Sequence, residues 1–163
     1  MAGKEHRYRI DVTWTGNTGE GTASYRSYSR NYDLAAPGKP GISGSADPAF
    51  RGDPDRWNPE DMFVAAVAAC HKLSYLHLCA VGGVVVVDYV DAAEGIMTET
   101  PDRSSGKMTS VTLRPRITVT RAADIAKAKE LHHKAHEICF IANSITTTVT
   151  VEPEIVARDA APD

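Results

Sequence analysis

Asn58-Pro59-Glu60-Asp61-Met62-Phe63-Val64-Ala65-Ala66-Val67-Ala68-Ala69-Cys70 is the stretch on which the fold turns. Asparagine is a strong helix N-cap, proline fits the first helical position, and acids in the first turn face the positive end of the helix dipole. Behind this start, Val64 to Ala69 is small and apolar on every side, which predicts a buried helix. The pattern carries it from Pro59 to about Ala80, with Gly82-Gly83 as the stop. Cys70 lies inside it.

Before this helix, Tyr8 to Thr15 alternates around Tyr8, Ile10, Val12 and Trp14, the period of a strand. Thr15 to Gly21 reads as a turn and Thr22 to Tyr32 as the returning strand, so residues 1–34 form a β-hairpin. Residues 35–57 carry much of the Pro and Gly and read as a long active-site loop. After the helix, Val84 to Val90 and Met108 to Thr120 read as strands. Asp124 caps a second helix running to about Ala142, and Thr147 to Val156 closes the pattern as a last strand. The order β-β-α-β-β-α-β is an α+β fold, with 58–156 as the helix and sheet core and 157–163 as a tail. All 163 residues are expected in one domain.

Composition is that of an ordinary globular chain, 42% hydrophobic and 24% charged. A formal net charge of −3 gives no push toward nucleic acid or an anionic membrane. No apolar run approaches the roughly 20 residues of a bilayer span, and Met1 to Asp11 lacks the apolar segment of a signal peptide. The expectation is a cytoplasmic protein with no membrane or nucleic-acid partner. In a reducing compartment, three cysteines are read as catalytic, metal-binding or inert rather than as a disulfide framework.

Cys79 follows Cys70 by nine residues, half a turn out of phase at about 100° per residue, so the two face opposite sides of one helix. The plain reading of Cys79 is a small buried hydrophobe. Cys139 sits near the end of the second helix, free to meet Cys70 in space.

The Asn58-Pro59-Glu60 start, the apolar alanine-rich turns and Ala69-Cys70, ten residues after Glu60, together resemble the peroxidatic-cysteine helix of the OsmC/Ohr family. Ala135-His136-Glu137-Ile138-Cys139 and the following Phe140-Ile141-Ala142-Asn143-Ser144 resemble that family's second cysteine motif, although Phe140 stands where proline is frequent. The resemblance covers most of the chain. It implies antiparallel sheets packed around two central helices, and an intertwined homodimer with active sites at the subunit interface. It also implies a thiol peroxidase acting on organic hydroperoxides. In that scheme Cys70 is the peroxidatic thiolate and Cys139 the resolving thiol. An external dithiol, in this family commonly a lipoylated protein, reduces the resulting disulfide. Glu60 becomes the active-site carboxylate, and an arginine is required beside the thiolate. Arg51 is favoured for that part, with Arg56, Arg26 and Arg30 as alternatives.

The chemistry explains the requirement. A free thiol has a pKa near ~8.5, and burial among apolar groups raises it, so an attacking cysteine needs a fixed cation. Arginine stays charged and can fork between thiolate and carboxylate. Ten residues of helix span about 15 Å. Glu60 therefore reaches Cys70 only if the helix breaks, an arginine bridges them, or one partner comes from another subunit. His132, His136 and Cys139 share one helical face, and His71 and His77 lie on the first helix. A metal centre needs three or four convergent ligands, and no fourth is evident, so neither metal nor cofactor is expected. Tyr25, Tyr28, Tyr32 and Trp57 are candidates for lining an apolar pocket. The rival reading is a non-catalytic small-molecule-binding or redox-sensing module on the same fold.

Overall fold

A computed structural model describes residues 3–158. Most of the expected tail, Asp159 to Asp163, lies outside the described residues. The backbone divides into two compact units, the first ending at Met62 and the second beginning at Phe63.

In the first unit β1 (Asp11–Trp14), β2 (Tyr32–Ala35) and β3 (Ile42–Gly44) form an antiparallel sheet in that order. The hairpin pairs Val12 with Leu34 and Trp14 with Tyr32. The returning strand is not Thr22 to Tyr32. That stretch is mostly turns and bends, because Asn17 Oδ1 accepts the amides of Gly19 and Gly21 and Ser27 Oγ donates back to the Gly21 carbonyl. The expected loop 35–57 contains β3 and a short 3-10 turn, Pro48–Phe50, capped by Asp47 Oδ1 accepting from the Ala49 amide at 2.7 Å.

The helix α1 (Pro59–Gly82) starts as expected, with Asn58 Oδ1 accepting the Asp61 amide at 2.8 Å. It runs unbroken, which removes a helix break from the ways Glu60 was expected to reach Cys70. Gly83, at φ 74, stops it in a conformation glycine adopts without a Cβ clash. Its buried stripe is Val67, His71, Tyr75 and Cys79, one residue every four. The opposite face is exposed, including Ala65, Ala66, Ala69 and Leu73. The expectation that Val64 to Ala69 is buried on every side is therefore corrected for this chain: only Val67 is fully enclosed, since the sheets cover one side of the helix. The expectation about apolar runs is also corrected. α1 is long and apolar enough to cross a membrane by length and composition only. His71-Lys72 is a short polar break between two apolar stretches of this helix.

The rest of the second unit is β4 (Val86–Asp91), β5 (Glu94–Glu99), β6 (Gly106–Leu113), β7 (Pro115–Val119), α2 (Ile125–Ile138), β8 (Thr148–Val151) and β9 (Glu154–Ala157). Two expected strands are each two. Met108 to Thr120 breaks at Arg114, and Thr147 to Val156 breaks at Glu152-Pro153. Pro115 and Pro153 lack the N–H a ladder needs. Arg114 also pins the crease: its amide donates to Asp91 Oδ1 at 2.8 Å, and its guanidinium meets Glu94 at 3.1 Å and Glu152 at 3.2 Å. The result is two three-stranded sheets, β5-β6-β8 and β4-β7-β9. β5, absent from the expected order, is an edge strand of the first. The sheets are mixed rather than antiparallel, because β6–β8 and β7–β9 run parallel.

Both sheets pack against α1. Val67 joins Val111 and Leu113 of β6, and a Cβ on Gly95 would run into Val64, so β5 approaches the helix closely there. Tyr75 and Cys79 join Ile117 and Val119 of β7 with Ala128, Leu131 and Ala135 of α2. Asp124 stands at the N-cap of α2, as expected, but its side chain makes no capping bond. Its carboxylate accepts from Arg121 Nε and Nη2 at 2.9 Å each, and a 3-10 turn, Ala122–Asp124, leads into the helix instead.

Candidate active site

Cys70 stands where the buried and exposed faces of α1 meet, and is itself half-buried. Cys139 is the residue at which α2 stops. The helix ends at Ile138, not near Ala142, because Cys139 turns to an extended conformation (φ −72, ψ 109) while its N–H still donates to the His136 carbonyl. The chain then folds back in a 3-10 turn, Ala142–Ser144. The Ala142 amide donates to Cys139 Sγ at 3.5 Å, and the Asn143 amide donates to the Cys139 carbonyl at 3.0 Å. The sulfur is thus wrapped by its own C-terminal turn and the residue is fully buried.

The side chains of Cys139 and Cys70 lie close enough to influence each other. Burial, and then the neighbouring Cys70, push the Cys139 thiol up to about 11, so it is protonated at neutral pH. Cys79 lies on the far side of α1, in the cluster with Tyr75 and Ile117, and burial raises its thiol as well. The structure brings together the two cysteines picked from their motifs and leaves the third apart.

The other sequence-picked residues belong to the first unit. Glu60 lines a cavity of about 330 Å³ together with Trp14, Tyr28, Tyr32, Phe50 and Arg30. Burial, and then the Glu60 charge, hold the Tyr32 phenol above its usual value. Arg30 is held rigidly. Its guanidinium lies 4.2 Å from the Tyr25 ring centre and 4.3 Å from that of Tyr28, and donates to the carbonyls of Tyr28 at 2.6 Å and Tyr25 at 2.7 Å. Arg51, the first choice from sequence, does not line this cavity. It is exposed at the end of the Asp47-capped turn, at φ 66. Among the described residues Arg51 and Glu60 form no ion pair, so the expected Glu60 clamp on Arg51 is not made. Arg56 is engaged by Asp33 and Asp53 at 3.5 Å each, and Arg26 is exposed. The signal for Arg30 was its setting in Tyr25-Arg26-Ser27-Tyr28-Ser29-Arg30, where two tyrosines can sandwich a guanidinium.

Two histidines far apart in sequence form a pair. His71 Nε2 and His132 Nδ1 are 2.9 Å apart, both residues are buried, and the rings lie within 7° of parallel. Tyr75 stacks on His132 with centroids 3.9 Å apart. Burial, then the neighbouring imidazole of His136, bring His71 down to about 4. Burial, then His71 and His133, bring His132 down to about 3. Both are neutral at neutral pH. Among the described residues no three His, Cys, Asp or Glu side chains are grouped to hold a metal ion.

The family model for OsmC-like protein matches residues 52–154. The chain belongs to the OsmC-like family. An OsmC-like protein of unknown function from Vibrio cholerae is 32% identical, with a TM-score of 0.81 over 91% of this chain and 99% of that one. An organic hydroperoxide resistance protein from Legionella pneumophila is 20% identical, with a TM-score of 0.65 over 95% and 100% of the two chains. The organic hydroperoxide resistance protein OhrB of Bacillus subtilis, also 20% identical, gives 0.62 over 93% and 98%. These two distant likenesses establish the α+β OsmC-like fold. Among curated proteins none matches the chain.

Proposed function

We propose that this chain is a thiol-dependent peroxidase that reduces organic hydroperoxides to alcohols. The Cys70 thiolate attacks a peroxide oxygen, the O–O bond breaks, and the alkoxide leaves and is protonated to the alcohol. Cys70 becomes a sulfenic acid. Cys139 Sγ then attacks Cys70 Sγ; the S–O bond breaks, and the hydroxyl departs as water with the Cys139 proton. An external dithiol, for which a lipoylated protein is the candidate, reduces the disulfide and is itself oxidised.

The observation that carries this reading is the contact between a half-buried Cys70 and a buried, protonated Cys139. A protonated thiol does not compete for the peroxide, since the thiolate is the nucleophile. It already stands beside the sulfur it must join. The family's hydroperoxide resistance proteins point the same way. Glu60 serves as the site carboxylate. For the activating cation we put Arg30 ahead of Arg51, because Arg30 shares the Glu60 cavity and is locked in place.

A homodimer in the cytoplasm is the proposed setting. Leu73 and Val81 on the outer face of α1 are 64% and 70% exposed, and Tyr8 beside β1 is 88% exposed. Apolar faces of this kind favour cover by a second copy.

One equivalent of cumene hydroperoxide followed by peptide mapping tests the assignment. The expected product is a Cys70–Cys139 disulfide with Cys79 free. A disulfide through Cys79 sinks the two-cysteine scheme. Three unreacted thiols in a protein that still binds the hydroperoxide favour the non-catalytic binding module.

A further inference from the structure

The four aromatic rings at the Glu60 cavity are held in place by close contacts. Trp14 Nε1 donates to the Ser29 carbonyl at 2.9 Å, and a Cβ on Gly16 would run into the indole. Tyr32 lies across Gly44, where a Cβ would run into its ring. Tyr28 meets Trp14 edge to face, with centroids 5.9 Å apart at 84°, and carries the Arg30 guanidinium on its ring. Phe50 ends the turn that Asp47 caps, and its carbonyl accepts from the Tyr25 hydroxyl at 3.4 Å. These rings are not a sealed core. Both apolar core clusters lie in the second unit. Among the described residues of the first unit, those buried are Gly16, Gly44, Ser45 and Asn58, and Trp14 is 43% exposed. Fixed rings around an open space have the form of a preorganised binding site, not of a packed interior.

Three properties say what fits there. The cavity holds about 330 Å³, at the small end of the ~300–1,000 Å³ usual for small-molecule sites, which suits a ligand with one ring. Its walls are Trp14, Tyr28, Tyr32 and Phe50, and a third ring set among perpendicular rings gains edge-to-face contacts that an aliphatic group does not. Its charge is unbalanced. Asp47 and Glu60 bring two carboxylates, and Arg30 brings one guanidinium. That guanidinium is already stacked on Tyr25 and Tyr28 and donates to their carbonyls. A carboxylate on the ligand would therefore face a net negative lining and find the single cation engaged.

We infer that this cavity holds the tail of the hydroperoxide and selects a tail that is aromatic and uncharged: an aryl-alkyl hydroperoxide, not one bearing a free carboxylate. This rests on the proposed peroxidase reading and names its substrate class. The alcohol left when the O–O bond breaks keeps the same tail as the hydroperoxide. It has no O–O bond to react with a thiolate, so it reports recognition of the tail without turnover.

The test follows tryptophan emission of the reduced, full chain as three alcohols are titrated: cumyl alcohol, cyclohexyl dimethyl carbinol and para-carboxy cumyl alcohol. Cumyl alcohol should bind at least about threefold tighter than the cyclohexyl compound, which is similar in size and more hydrophobic. At low ionic strength it should also bind at least about threefold tighter than the para-carboxy compound. That gap should close by about 1 M salt, where charges are screened beyond about 3 Å. Phe50→Leu and Tyr32→Leu should each lower the preference for the aromatic ring by about twofold or more. Asp47→Asn, which keeps an acceptor for the Ala49 amide, should narrow the carboxylate gap by about twofold. Equal or tighter binding of the cyclohexyl compound overturns the proposal. So does equal or tighter binding of the para-carboxy compound at low salt, or an emission that none of the three changes. Affinity that falls as the protein associates gives the cavity to a second copy and overturns it too. If the leucine variants do not fold, the three alcohols on the parent decide. Failure of the peroxidase reading shows separately, as cumene hydroperoxide that leaves the thiols unoxidised while cumyl alcohol still binds.

Discussion

Cys70 and Cys79 lie on the same helix, nine residues apart, in equally apolar sequence, yet their surroundings differ. Cys79 falls on the buried stripe and is enclosed by Tyr75, Ile117 and the alanines of α2. Cys70 falls at the edge of that stripe, half-buried, beside a thiol delivered by the end of another helix. The difference is not one of residue chemistry. Helix phase decides which side chain meets the sheets, and the early end of α2 decides which one meets a second sulfur.

The sharpest way to break this comparison is to remove each thiol in turn. Cys70→Ser should reduce hydroperoxide consumption by on the order of a thousandfold or more, as loss of a nucleophile does. Cys79→Ser should leave the rate per folded molecule within about twofold. Equal losses in a ferrous-xylenol orange assay would mean that the two positions are not functionally distinct.

Next in size is Cys139→Ser. Its first oxidation should match the parent, but no intramolecular disulfide follows, so steady-state turnover with dihydrolipoamide should fall by about tenfold or more. Mass spectrometry should find Cys70 as sulfenic acid and then as the sulfinic acid. A variant that turns over at the parent rate would remove any resolving role from the buried thiol.

The two arginines offer a smaller test. Arg30→Ala should slow the first oxidation by on the order of tenfold to a hundredfold, the usual scale for removing a positioned electrostatic group. Arg51→Ala, at an exposed turn, should stay within about twofold. Stopped-flow rates in the reverse order would restore Arg51 as the activating cation.

The smallest effect is on stability, and it involves the stripe that Cys79 shares with His71. His71 and His132 are lowered in the fold to about 4 and about 3 from 6.5. The unfolded chain therefore takes up protons first as the pH falls. The stability of the neutral pair is fully present above about pH 6.5 and is lost as the pH drops toward 4 and 3. At stake are a few kcal/mol in total, by order of magnitude. Urea midpoints at pH 7.5 and 4.5 should differ more in the parent than in a His71→Gln/His132→Gln protein. Equal pH dependence would mean that the histidines are not the titrating groups.

Much of the site was legible because its signals are local. Asn58, Pro59 and the first-turn acids mark where α1 begins whatever packs against it. The spacing from Glu60 to Cys70 and the Cys139 motif belong to short stretches of chain. Arginine choice was not legible, since Arg26, Arg30, Arg51 and Arg56 are alike in sequence and differ only in which carboxylates and rings surround them. Nor was the crease. Pro115 and Pro153 were in view, but their effect depends on Arg114 reaching Glu94 and Glu152 across neighbouring strands.

By itself, then, the sequence determined the two helices, the α+β class, the family and the two cysteines worth pairing, because capping and helical period act over a few residues. The tertiary structure alone decided that Cys139 is sealed and protonated against a more open Cys70, that Arg30 rather than Arg51 shares the Glu60 cavity, and that His71 bonds to His132. Each of these depends on burial and on contacts between residues far apart in the chain, and neither exists until the elements have packed.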